Sequence, residues 1–163
     1  MGNKAVSNTG PILHLNEINL FKSLGVFSSI LIPEEVFNEL RKNKFVIPRR
    51  VRVVKIKSGF KDSVKVMTNQ HNLDLGEAEA ISLCLQEKAD YFLTDDLDAR
   101  QVAGEYNLEV HGAVGIILRA FREKIIDKKT AIEKIRELKT KSSLFITQDL
   151  IDEVIKAVNE FSF

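Results

Sequence analysis

The 163-residue sequence contains a single cysteine, Cys84. One cysteine excludes a disulfide framework and a cysteine-based zinc site, and its place on the apolar face of a predicted helix indicates a buried thiol. No run of apolar residues approaches the length of a membrane span, and the opening residues MGNKAVSNTG lack the apolar core of a signal peptide. These absences predict a cytoplasmic protein that does not associate with a membrane.

The sequence also lacks an excess of charge of one sign. Lys and Arg number 24 against 23 Asp and Glu, a formal net charge of +1. Because nucleic-acid binding depends on how charge is distributed, this balance argues neither for nor against such a partner. The three histidines have no shared spacing typical of a metal site or a general base, so we expect each to be structural or solvated. They are His14, His71 and His111.

The stretch Leu73–Arg100, LDLGEAEAISLCLQEKADYFLTDDLDAR, carries most of the functional signal. Apolar residues at helical spacing predict a helix over Leu75–Glu87, with Asp74 as its cap and Glu77 in its first turn. A short buried strand is predicted next, over Asp90–Thr94. Three carboxylates follow that strand: Asp95, Asp96 and Asp98.

These carboxylates have a structural and a chemical interpretation. Taken singly, each acid is explained by the preference of helix N-termini for acidic residues. Glu77 lies in the first turn of the helix Leu75–Glu87, and the aspartates lie at the start of a helix predicted over Leu97–Tyr106. Together, the three aspartates exceed what one cap requires. Crowded carboxylates raise one another's pKa unless a cation neutralises them, and oxygen ligands suit Mg²⁺ or Mn²⁺. We therefore interpret the cluster as a metal site.

Short apolar strands that alternate with helices predict a three-layer α/β/α fold with a central parallel sheet, because parallel strands need crossover connections. The chain has 163 residues, 44% of them hydrophobic, which is enough to bury one core. We expect residues 1–163 to form a single domain. Besides Asp90–Thr94, the predicted strands are Lys4–Ser7, Ile30–Ile32, Val51–Ile56 at an edge, and Glu109–His111.

The loops after parallel strands open on one edge of the sheet, where such folds bind ligands. This brings together Asn8, the helix that carries Glu39, and the loop Asp95–Asp98. Two C-terminal amphipathic helices, within residues 127–161, are expected to complete the core or to form a homodimer interface. Their apolar faces contain Ile132, Ile135, Leu138, Leu150, Val154 and Ile155.

Four motifs occur in an order that resembles the PIN-domain family of nucleases. They are VSNTGPI after the first strand, IPEEVFNEL, LDLGEAEAI, and ADYFLTDDLDAR followed by a helix and a VHG strand. The resemblance spans roughly residues 4–121. It implies a PIN-like fold and a ribonuclease that hydrolyses RNA phosphodiester bonds with one or two Mg²⁺ or Mn²⁺ ions. A toxin with a small antitoxin as its protein partner is a narrower form of this expectation.

The resemblance also implies roles for individual residues. The four acidic positions of the family fall on Asn8, Glu39, Glu77 and Asp96, and the last three are the expected catalytic residues. Asp95 and Asp98 would be accessory acids. All of these residues are expected to hold the metal: Asn8, Glu39, Glu77, Asp95, Asp96 and Asp98.

Three further residues are expected to contact substrate. Thr9 or Thr94 would hold water or phosphate through its hydroxyl group. Arg100 lies beside the acidic loop, where it could meet backbone phosphates or form a salt bridge with Asp96 or Asp98.

Two positions depart from the family pattern. Asn8 stands where an aspartate is usual; its amide oxygen can coordinate a hard cation but brings no charge, so metal affinity is expected to fall. Gly10 stands where many relatives have a hydroxyl residue. The alternative function is therefore a weakened PIN-like module that binds RNA or a protein without cutting. A receiver-type or phosphatase domain fits less well, because it needs an aspartate nucleophile in the place of Asn8.

Overall fold

The computed structural model describes residues 3–163. Its strands are β1 (Lys4–Ser7), β2 (Ser29–Ile32), β3 (Val51–Val53), β4 (Tyr91–Leu93) and β5 (Glu109–His111). They form one sheet in the order β3-β2-β1-β4-β5, and every neighbouring pair is parallel. The predicted parallel sheet is confirmed.

The helices fill the connections between these strands and extend beyond the last one. They are α1 (Thr9–Glu17), α2 (Glu34–Lys42), α3 (Lys61–Gln70), α4 (Leu75–Glu87), α5 (Leu97–Glu105), α6 (Ala113–Arg122), α7 (Lys128–Thr140) and α8 (Gln148–Glu160). Short 3₁₀ helices lie at Phe21–Val26 and Ser58–Phe60. The edge strand β3 ends at Val53, earlier than predicted, because its partner β2 ends at Ile32, directly before Pro33.

The sheet is covered on both faces, which explains the continuous apolar runs of its central strands. Successive residues point to opposite faces, so Ala5 of β1 joins one core cluster and Val6 joins the other. The Ala5 cluster includes buried residues of α1, α6, α7 and α8, whereas the Val6 cluster includes those of α3, α4 and α5. This is the predicted three-layer α/β/α arrangement.

The two C-terminal helices pack their apolar faces inside the chain. Ile135, Leu138 and Val154 are buried in the core cluster that contains Ala5, and Ile132 and Ile155 pack against it. Of the residues proposed for a dimer interface, Leu150 is the one that stays exposed, at 41%. Helices in residues 3–163 reach at most 13 residues, and none is long and apolar enough to cross a bilayer.

The strand order creates a crevice at the carboxyl ends of β1 and β4. The chain leaves β1 for β2 on one side and later returns as β4 on the other, so the loops after β1 and β4 separate at this point. A backbone hydrogen bond from Asn8 N to Leu93 O, 2.8 Å long, joins the two strand ends. Asn8 and the loop that follows Leu93 therefore flank the crevice.

Candidate functional site

A cleft of about 590 Å³ opens at this edge of the sheet. Its lining contains six of the nine residues that the sequence indicates for a site: Asn8, Thr9, Glu39, Asp95, Asp96 and Asp98. Glu77, Thr94 and Arg100 lie outside the lining. His14 and Asp74, which were not expected to have a functional role, belong to it.

Asn8 directs its side chain into a network at the floor of the cleft. It occupies the N-cap position of α1, yet its side chain makes no capping hydrogen bond. Instead, Nδ2 donates to Thr94 Oγ1 at 3.3 Å. The amide oxygen receives no hydrogen bond from residues 3–163 and remains available as a neutral ligand.

Thr94 lies beneath the cleft and forms hydrogen bonds with two of the residues that line it. It is completely buried, and its hydroxyl oxygen also accepts the backbone N–H of Asp96 at 3.1 Å. A completely buried hydroxyl group cannot reach a substrate in the cleft, so the expectation of a substrate contact does not fit its location. Thr94 positions Asn8 and Asp96 instead.

Asp96 serves as the cap of α5 with only one of its oxygens. Oδ1 accepts the Ala99 N–H at 2.8 Å, as the structural interpretation of the loop predicts. Oδ2 receives no hydrogen bond from residues 3–163. Asp98 is exposed in the first turn of α5. The cap and a ligand role are therefore compatible for Asp96, because they use different oxygens.

Asp95 has both carboxylate oxygens engaged. Oδ2 lies 2.7 Å from His14 Nδ1, and Oδ1 accepts the Ala113 N–H at the start of α6, also at 2.7 Å. These contacts tie α1 and α6 to the loop after β4. They favour a positioning role for Asp95 over direct coordination of a metal.

His14 was expected to be structural or solvated, but it lines the cleft as the partner of Asp95. The signal in the sequence was the i, i+4 spacing of Gly10 and His14, which places both on one face of α1. A Cβ at Gly10 would lie 3.4 Å from His14 Cε1 and 3.6 Å from Asp95 Cβ. A Cβ at position 10 would therefore make only ordinary van der Waals contacts with the imidazole and with Asp95.

Glu39 reaches the cleft from α2, between α1 and α4. Its Oε2 accepts a hydrogen bond from the Thr9 hydroxyl group. A Cβ at Gly76 would collide with its carboxylate, so the glycine provides the space that this group occupies. Burial raises the pKa of Glu39, and Asp74 and Glu35 raise it further, although the Thr9 hydroxyl opposes them.

Glu77 begins α4 in a reciprocal capping box with Asp74. Its N–H donates to Asp74 Oδ1 at 2.8 Å, while its Oε2 accepts the Asp74 N–H at 3.0 Å. The pKa of Glu77 is raised from 4.5 to about 7, chiefly by burial and further by the charges of Asp74, Asp96 and Glu39, while the hydrogen bond from the Asp74 N–H opposes the rise. Although Glu77 does not line the cleft, its carboxylate is thus electrostatically coupled to the acids that do.

The oxygen donors fit a hard divalent cation. Glu39, Glu77 and Asp96 form no salt bridge with a cationic side chain in residues 3–163. In this part of the chain, no group of three or more His, Cys, Asp and Glu side chains is arranged so that it could hold a metal ion. Mg²⁺ commonly uses only one or two carboxylates and keeps several waters, so an open donor set of this kind suits it.

Arg100 belongs to a second cleft, of about 450 Å³, beside the acidic one. Its Nη2 donates to the Thr94 carbonyl oxygen at 3.4 Å. It forms no salt bridge with Asp96 or Asp98 within residues 3–163, so that alternative for Arg100 is not observed. Arg100 is an exposed residue next to the acidic loop.

Comparison with known proteins gives one match. A family model described as a PIN domain matches residues 4–160. No curated protein and no solved structure matches the chain significantly. The match extends past the resemblance read from the sequence, which spans roughly residues 4–121, and includes α7 and α8.

Proposed function

Since the chain belongs to the PIN-domain family, we propose that it is a divalent-metal-dependent endoribonuclease whose active site is the acidic cleft. The observation that carries the proposal is the gathering of Glu39, Asp96 and Asp98 in one cleft at the carboxyl ends of β1 and β4, beside the partly buried Glu77, whose pKa is raised. Such crowding raises the free energy of the ionised carboxylates, and a bound cation lowers that free energy. The nuclease-like fold of the family is the reason for proposing phosphodiester hydrolysis as the reaction.

The residues of the cleft divide into ligands and groups that hold the ligands. Glu39, Glu77 and Asp96 would bind Mg²⁺ or Mn²⁺ directly or through water, with Asn8 as a neutral ligand and Asp98 as an accessory acid. When bound, the ion lowers the pKa of a water and offsets negative charge on the phosphate group.

The remaining residues would fix the geometry of these ligands. Thr9 orients the Glu39 carboxylate through its hydroxyl group, and Thr94 holds Asn8 and the backbone of Asp96. Asp95 holds His14 at the wall of the cleft. Partners of this kind keep ligand oxygens in one orientation, which metal sites generally require.

The alternative is a PIN-like module that binds RNA or a protein without cutting. Asn8 supports this alternative, because an amide replaces the charge that the family usually places after the first strand. The loss of one negative charge lowers the affinity for a divalent ion while leaving the rest of the cleft intact.

Calorimetric titration with Mn²⁺ tests the metal site, using the parent protein, Asn8→Asp and Asp96→Asn. We expect the parent to bind, Asn8→Asp to bind more tightly and Asp96→Asn to lose most of its affinity. Binding by Asn8→Asp alone would instead support the non-cutting module. Equal binding by the parent and Asp96→Asn would contradict the assignment of Asp96.

Cleavage of labelled single-stranded RNA tests the activity. We expect cleavage with Mg²⁺ or Mn²⁺ that stops in chelator and in both Asp96→Asn and Glu77→Gln. Cleavage that survives in both variants and in chelator would reject the proposal, because the acidic cleft would then not be the source of activity.

A toxin role is the narrower form of the proposal. It predicts that expression of the chain alone arrests growth, that Asp96→Asn relieves the arrest, and that a small protein partner inhibits RNA cleavage. Arrest by Asp96→Asn as strong as that by the parent would separate toxicity from the cleft. A homodimer remains a prediction, to be tested by the molar mass in solution.

A further inference from the structure

Two large apolar side chains stand exposed on the wall between the acidic cleft and the second cleft. Phe145 is 89% exposed and Leu97 is 78% exposed. Both residues line both clefts, so each can be reached from either side. Exposed apolar side chains that lie together and are rimmed by polar residues mark binding surfaces, whereas scattered single ones do not.

The exposure of Phe145 is built into an anchored loop between α7 and α8. The Ser143 N–H and hydroxyl group both donate to Glu17 Oε1, at 3.0 and 2.8 Å. Leu144 packs against the core, and Ile146 is buried. Because the residues on either side are fixed inward, the ring of Phe145 is held outward at the mouth of the cleft.

The second cleft differs from the acidic one in chemistry. Its walls include Val110, Val114 and Leu150, with Arg100 as a cation at the side. Its carboxylate, Asp95, has both oxygens engaged by His14 and Ala113. The second cleft therefore offers an apolar surface with one positive charge, next to a cleft suited to a metal and a phosphate.

We propose that Phe145 stacks on a base of single-stranded RNA, next to the phosphate group that the acidic cleft would hold. RNA presents a phosphate and a flat apolar base in every nucleotide, which matches the two adjoining clefts, and aromatic rings bind single strands by stacking. Leu97 would support the same base and Arg100 the neighbouring phosphate. The inference rests on the proposed function, since it names the form of RNA that this site takes.

The chain allows a direct measurement of the stack. It contains no tryptophan, so Phe145→Trp introduces a single indole that can be excited separately from the two tyrosines. We expect its emission to be quenched when a short single-stranded RNA is titrated in Ca²⁺ buffer. The same RNA with abasic nucleotides should leave the emission unchanged, because it retains the phosphates but has no base to stack.

Affinity for the same RNA, measured by fluorescence anisotropy, gives the second readout. Phe145→Ala should bind about 5- to 150-fold more weakly, the factor expected for one base–aromatic stack, while Phe145→Trp should bind like the parent. Phe163→Ala is the matched control, because Phe163 is also an exposed phenylalanine, at 68%, but contacts Phe121 and Phe161 away from both clefts. It should bind RNA like the parent.

The results separate this inference from the proposed function. Phe145-dependent RNA binding without metal-dependent cleavage would support the stack and reject the nuclease. Metal-dependent cleavage with an unchanged KM in Phe145→Ala would reject the stack and keep the nuclease. Unchanged RNA affinity in Phe145→Ala, together with loss of a protein partner, would also overturn the inference, because Phe145 would then be a protein contact.

Discussion

The acids in and beside the cleft are held in different ways. On the side of the loop after β4, Asp95 bonds an imidazole and a helix N-terminus, and Asp96 caps α5. On the side of α2 and α4, Glu39 and Glu77 each receive one neutral hydrogen bond and lie beside other carboxylates. Asp95 is therefore positioned through both of its oxygens and Asp96 through one, whereas Glu39 and Glu77 carry charge that the fold does not neutralise.

Asp95 thus fixes the shape of the cleft, Glu39 and Glu77 attract a cation, and Asp96 can do both because its cap uses only Oδ1. Removing a carboxylate that accepts hydrogen bonds leaves donors unsatisfied and lowers stability. Removing the charge of a crowded, partly buried carboxylate relieves repulsion and desolvation instead. Substitutions on the two sides should therefore have opposite effects on the free energy of unfolding.

The largest effect is expected for Glu77→Gln. The amide can still accept the Asp74 N–H but has no charge, so Mn²⁺ affinity should fall about 100-fold or more in calorimetry. The metal-free variant should be more stable than the parent above pH of about 7, where the parent Glu77 is ionised. Glu153→Gln, an exposed substitution on α8, is the control and should change neither property. Mn²⁺ binding equal to that of the parent would contradict the assignment.

Asp95→Ala should have the opposite effect on stability. The buried Ala113 loses the acceptor of its N–H and His14 loses its partner, so the free energy of unfolding should fall by about 1–3 kcal/mol in urea titrations. Asp98→Ala removes an exposed acid in the neighbouring turn, so its free energy of unfolding should stay within about 0.5 kcal/mol of that of the parent. Equal losses in the two variants would show that the contacts of Asp95 are not stabilising.

Thr9→Val tests the single hydrogen bond of Glu39. Without the hydroxyl donor, the pKa of Glu39 should rise further, and Mn²⁺ affinity should fall about tenfold. Thr68→Val is the matched control, because its hydroxyl group bonds the Lys65 carbonyl oxygen on α3, outside the cleft. If both variants bind Mn²⁺ like the parent, Thr9 does not orient Glu39.

The smallest effect is a pH dependence of the metal-free protein. The pKa of Glu77 is raised from 4.5 to about 7, so between these values the folded state binds more protons than the unfolded state. This contribution to stability is fully present below pH 4.5 and is lost as the pH rises through about 7. Because Glu77 is half-buried and solvent screens its charge, the contribution should be on the order of 1 kcal/mol.

The difference between the parent and Glu77→Gln isolates this contribution. In chelator, the urea stability of the parent relative to the variant should decline between pH 4.5 and about 7. A relative stability that is flat or rises over this range would contradict the raised pKa. Mn²⁺ should favour the parent increasingly as the pH rises, because the metal binds the ionised carboxylate.

The sequence predicts the regular elements closely where periodicity and caps agree. The helix Leu75–Glu87 has the predicted bounds, and so has the strand Glu109–His111. The predicted strand Val51–Ile56 was too long, because strand length also depends on the partner strand, and β2 ends at Ile32. Local patterns locate each strand to within a residue or so, as for β2 and β4, but pairing decides how far a strand extends.

The candidate site was less predictable than the fold. Asp95 meets His14 across 81 positions of sequence, and Ser143 meets Glu17 across 126, so no local pattern reports either contact. The burial of Thr94 is also a property of the assembled layers, although a threonine at a strand end could equally have faced the cleft. Side-chain contacts of this kind depend on how helices pack on the sheet.

The parallel sheet, its helical layers and the edge at which the acids gather can be predicted from the sequence, because apolar periodicity and the need for crossover connections are visible along the chain. Three features of the site require the folded structure: the oxygen of Asp96 that the cap uses, the acids whose pKa is raised, and the position of Phe145. These properties depend on burial and on distances between segments far apart in the chain, which exist only once the layers have packed.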